Sequence, residues 1–193
     1  MLVISIIQAC THSAKTPPAE TAQQVKKDST SKDTAVKSYF PVSDYIRSDI
    51  ANAETYYTAF HQYITRGTKT DSSYIQPAAF KKLAEEFTTG ELTKEALEKD
   101  YHETSFFDQS VGAYTFTYST TNSSLVVQRV DVLASPGEGY DKIRSIYIEK
   151  RGMQNNTPFV KKMYWKAGKS FQVITTLNTV NPVTENIKIV WNQ

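Results

Sequence analysis

The chain has 193 residues, 39% of them hydrophobic and 12% aromatic, enough for one domain with a packed core plus accessory sequence. Residues 11–38 hold five lysines against three acids and carry the whole formal charge of +2, leaving 17 of the 22 basic and 17 of the 20 acidic residues to cancel in the remainder. A neutral domain lacks the basic footprint that a phosphate backbone requires, so nucleic acid is excluded as a partner.

The first element is the apolar run Leu2 to Ile7, too short to span a bilayer as a helix but suited to the hydrophobic region of an export signal. It ends at Cys10, the single cysteine, so neither an intramolecular disulfide nor an all-cysteine metal site can form. The stretch Ile7-Gln8-Ala9-Cys10 resembles a bacterial lipobox, with an aliphatic residue in first position and a small residue directly before the cysteine. The resemblance implies cleavage before Cys10, a diacylglycerol on its thiol and an acylated new amino group. No Lys or Arg precedes the apolar run, a departure from the usual basic start of an export signal that a start codon placed too far downstream would explain. Residues 1–9 are then the signal and residues 10–38 a lipidated tether. Thr11 to Ser38 contains no aromatic residue and cannot bury enough apolar surface to order itself. Its reach as a flexible chain is roughly 30 Å.

Residues 39–193 read as a single α+β domain. Val42, Tyr45, Ile46 and Ile50 fall at helical spacing behind Pro41, which predicts a short amphipathic helix whose stripe lies on a sheet. Thr55 to Arg66, rich in Tyr and Phe, reads as extended, with a turn at Arg66-Gly67-Thr68-Lys69 into Thr70 to Ile75. Phe80, Leu83, Ala84 and Phe87 predict a helix from Pro77 to Phe87, ended near Gly90, and a second short helix spans about Thr93 to Lys99. Tyr101 to Phe107 leads through Asp108 into Gly112–Trp191, a run of strand-length segments joined by connections too short for crossover helices. The expected architecture is a curved antiparallel meander of about six to eight strands, with two or three helices on one face or end.

Chemistry is sparse. His61 stands in an aromatic strand, and His102 opens a His-Glu pair whose zinc-protease pattern fails at Phe106, where a second histidine is needed. Two histidines without a cysteine make zinc possible only with added carboxylates. Gly168-Lys169-Ser170 lacks the first glycine of a phosphate loop, since Met163 occupies that position, and reads as a hairpin turn. No cofactor motif is present. Lys142, Arg144 and Lys150, with Lys161, Lys162, Lys166 and Lys169 on the next hairpin, could form a basic patch or a face charged against aggregation.

Tyr39-Phe40-Pro41-Val42-Ser43-Asp44-Tyr45-Ile46 and the segment Lys161 to Phe171 resemble envelope lipoproteins of the Bacteroidetes, a family that brings no activity with it. In such lipoproteins an acidic cluster after the cysteine directs surface export. Thr11 to Lys15 contains none, which places the domain on the periplasmic side of the outer membrane. The expected function is therefore a non-enzymatic binding or interaction domain, anchored through lipid on Cys10 and meeting an unknown envelope protein or apolar ligand. The alternative is a carrier of lipid or another apolar ligand in a cavity between sheet and helices. A hydrolase is the third reading, and it requires His61 or His102 to meet carboxylates such as Glu103 or Asp108.

Overall fold

The computed structural model describes residues 39–137, 139 and 142–192. The expected signal, Cys10 and the tether lie outside the described residues.

Helix α1 (Val42–Tyr56) buries Val42, Tyr45, Ile46 and Ile50 as the spacing predicts, and then continues through Ala53. It runs past the expected boundary because Ala53 extends the buried stripe one turn beyond Ile50; in the last turn Thr55 Oγ1 donates to the Ala51 carbonyl at 2.8 Å. Thr55 and Tyr56 therefore close a helix instead of opening a strand. Strand β1 (Phe60–Arg66) then pairs with β2 (Lys69–Ile75) across a two-residue turn in which Gly67 has φ of 59°.

Helix α2 (Pro77–Ala84) starts on its proline and tightens into a 3₁₀ turn, Glu85–Phe87, so that Phe80, Ala84 and Phe87 are all buried. A further 3₁₀ turn, Gly90–Leu92, precedes α3 (Lys94–Asp100), where Thr93 Oγ1 accepts from Ala96 N. The strands β3 (His102–Asp108), β4 (Ala113–Ser119), β5 (Val127–Ala134), β6 (Ile143–Gln154), β7 (Thr157–Lys166), β8 (Ser170–Leu177) and β9 (Val183–Val190) follow as a meander.

All strands join one antiparallel sheet in the order β2-β1-β9-β8-β7-β6-β5-β4-β3. Among the described residues the fold is α+β, with three α-helices and nine strands. The count exceeds the expected six to eight because β3, read from sequence as a lead-in, pairs with β4 over its full length. The register aligns rows of side chains across the sheet. One row under the helices comprises Phe116, Val132, Ile146, Trp165, Phe171 and Ile189, each opposite the next. Trp165 is its centre, with Phe87 edge-on at 5.1 Å and Phe171 and Trp191 each at 5.5 Å between ring centroids. Its indole Nε1 donates to Asp49 Oδ2 at 2.7 Å, and the same oxygen accepts Gly168 N at 2.9 Å. One α1 carboxylate thus satisfies a buried donor and fixes the β7–β8 turn.

A groove under α2 as the candidate functional site

The helices cover only part of the sheet, and where α2 and its 3₁₀ turn stop, the same face continues as a groove of about 280 Å³. Two apolar rows meet there: Val173 opposite Ile187 on the inner side, Leu177 opposite Val183 at the outer end. Leu83 and Phe171 contribute from the core side. Such a concave, mainly apolar lining with a few placed polar groups is the usual form of a small-ligand site.

Between the apolar rows runs a polar one. Lys150, Lys161, Thr175, Glu185 and Arg66 are successive cross-strand partners on β6, β7, β8, β9 and β1. Their charges are matched locally. Arg66 pairs with Glu185, and Lys161 Nζ donates to Glu86 Oε2 at 2.8 Å from the 3₁₀ turn above. Lys150 is buried at 6% exposure and donates to the Glu86 carbonyl oxygen. Burial pushes its ammonium down to about 8, with Lys161 adding to the shift and Glu86 opposing it. Glu86 is thus gripped at its backbone and its side chain, which holds the turn over the groove's inner wall.

The residues singled out from sequence do not assemble. His61 lies on β1 and His102 on β3, with β9, β8, β7, β6, β5 and β4 between them. His61 Nδ1 is 2.9 Å from the Tyr63 hydroxyl, and its ring stacks on Tyr74 at 4.6 Å. Glu103 faces its cross-strand partner Tyr118. Asp108 caps the β3–β4 turn through Ser110 N and Oγ at 2.8 and 2.6 Å, bonds that hold its carboxyl below the usual range. The carboxylate–histidine constellation of a hydrolase is not formed by these groups. Among the described residues no cluster of three or more His, Cys, Asp or Glu is placed to hold a metal ion, and no helix is long and apolar enough to cross a membrane.

The expected basic patch divides, because successive strand residues point to opposite faces. Lys150 and Lys161 face the helices, while Lys166 and Lys169 line a concavity on the open face. Arg144 donates to Ser135 Oγ and to the carbonyls of Val111 and Gly112. Gly168-Lys169-Ser170 is the expected hairpin turn, with Gly168 at φ of 64°. The groove residues Leu83, Val173, Leu177, Val183 and Ile187 were visible in the sequence as apolar strand and helix positions. Nothing local marks them as uncovered, since that depends on where α2 ends above them. No family model, curated protein or solved structure matches this chain.

Proposed function

We propose that this protein is a non-enzymatic binding domain of a bacterial envelope, held to the membrane by lipid on Cys10, and that it takes an uncharged, largely apolar small ligand into the groove under α2. The groove is the observation that carries the ligand reading, and it favours the carrier over a purely protein-binding role. Its walls are apolar, and its charged groups are paired with one another: Arg66 with Glu185, Lys161 with Glu86. A neutral ligand therefore separates no ion pair on entering, whereas a charged one competes with a partner already in place. Covering the lining removes apolar surface from water, worth about 25 cal/mol per Å². The lipobox resemblance at Ile7 to Cys10 supports the anchor.

Native mass spectrometry of the compact unit Ser38–Gln193, purified without detergent, tests the ligand reading. We expect extra mass that leaves on denaturation, and its loss in Thr175→Trp, which fills the groove with an indole without touching the aromatic core. A bare domain from its native source would overturn the carrier reading. In the full chain, Cys10→Ser should release the protein from membranes and abolish acyl labelling; a variant still bound and labelled would remove the anchor.

A further inference from the structure

The open face of the sheet carries a second concavity, of about 300 Å³, on the side away from the helices. It is lined by Tyr63 on β1, Lys166 at the end of β7, Lys169 and Ser170 at the β7–β8 turn, Lys188 on β9, and Asn192. Three lysines from three parts of the chain converge there, and no carboxylate of the described residues pairs with any of them. Elsewhere the charges are largely matched, as in Arg129–Asp131, Arg151–Glu149 and Lys161–Glu86. The local excess therefore stands out in a domain whose 17 basic and 17 acidic residues cancel.

The support beneath these side chains is fixed from two directions. Asp49 holds the β7–β8 turn from below through Gly168 N, and the Lys169 carbonyl accepts both Trp191 N and Asn192 N at 3.0 and 3.2 Å. The turn and the C-terminal segment are thus clasped together, which sets the lysine on one beside the amide on the other. Register places Lys188 opposite Tyr63 on one side and Gln172 on the other, and Ser170 opposite both Lys166 and Val190. Three like charges lining one concavity repel one another, a cost that a bound anion removes. The Ser170 hydroxyl and the Asn192 amide add donors of the kind that oxyanions accept.

We infer that this concavity is an anion site for a phosphoryl group, bridged by Lys166, Lys169 and Lys188 with donors from Ser170 and Asn192. Three cations suit a dianion, where a single carboxylate would need only one. The same group is offered by a small phosphoester and by a phosphate-bearing lipid headgroup. The site is independent of the groove under α2, which lies on the other face.

The test is a titration of the ¹⁵N-labelled Ser38–Gln193 unit with inorganic phosphate, read against chloride at equal ionic strength. We expect saturable amide shifts confined to residues near Lys169 and Asn192. Lys166→Gln with Lys188→Gln removes two charge-assisted hydrogen bonds and should weaken binding by at least about tenfold. Lys162→Gln, on the same face but outside the concavity, should leave it unchanged. Vesicles containing phosphatidic acid separate the sources. Retention that free phosphate competes away marks a headgroup, and phosphate binding without retention marks a soluble ligand; either supports the site. Shifts scattered over all surface lysines, or equal shifts with chloride, overturn it.

Discussion

The two faces of the sheet are made by the same strands and differ in almost everything else. On β7, Met163 and Trp165 are fully buried under the helices, while Lys162, Tyr164 and Lys166 stand in solvent between and beside them. On β9, Ile187 and Ile189 face the covered side, and Lys188 and Val190 border the basic concavity. Chemistry in this molecule is therefore assigned by strand parity: Lys161 enters the ion-paired row under the helices, while Lys166 and Lys169 of the same hairpin join the basic concavity on the other face.

The contrast is sharpest between neighbours. Trp165→Ala should cost about 3–5 kcal/mol, since it opens a cavity in the aromatic cluster and leaves Asp49 without its indole donor. Tyr164→Ala, at 43% exposure on the opposite face, should change stability by no more than about 0.5 kcal/mol. Urea unfolding of both variants measures the difference, and comparable losses would break the two-face description.

Lys150 places a charge on the wrong side of that division, and its pH dependence exposes the cost. Below pH 8 both folded and unfolded chains carry the proton, so the burial penalty is complete. Between about 8 and 10.5 the folded chain releases a proton that the unfolded chain keeps, and stability rises with pH in that window. Lys150→Met should thus be more stable than the natural chain at pH 7, by up to about 3 kcal/mol, and lose that advantage as pH approaches 10.5. Above pH 10 the tyrosines act with the opposite sign in both chains. Burial raises the hydroxyls of Tyr45, Tyr101 and Tyr118, so the unfolded chain ionises first and stability falls. A pH-independent difference between the two chains would show that the ammonium is already relieved by Glu86.

The smallest effect concerns the polar row in the groove. Arg66→Gln should lower stability by about 0.2–1 kcal/mol, because Arg66 is largely exposed where it meets Glu185. In the same variant Glu185 loses its partner, and affinity for a neutral ligand should fall. Binding that is unaffected would separate the pair from the groove's function.

The strand segments, the proline-started helix α2 and the antiparallel meander were legible in sequence because each is a local pattern: alternation, a stripe at helical spacing, short turns. The end of α1 was not, since tertiary burial of Ala53 decided it. Nor was the pairing of β1 with β9, which no local signal encodes. The two concavities share that difficulty. Lys188 lies some twenty residues beyond Lys166 and Lys169, and only the sheet brings it beside them. Val173 and Leu177 have the same apolar character whether a helix covers them or not. His61 and His102, the residues that looked most chemical, were separated by the very topology that assembled the other sites.

That β1–β9 pairing has a consequence for how the molecule forms. Arg66 and Glu185 are 119 residues apart, and the hairpin that is made first must wait for the strand that is made last. Until β9 arrives, β1 has a free edge, and Phe60 and Phe80, stacked at 3.9 Å, lack the cover of Trp191. Such long-range closure slows folding relative to a purely local meander. Strand β9 lies between β1 and β8 and latches the first hairpin to the meander, so a chain shortened before Val183 keeps the pairings from β3 to β8 and loses the strand that joins the β1–β2 hairpin to them.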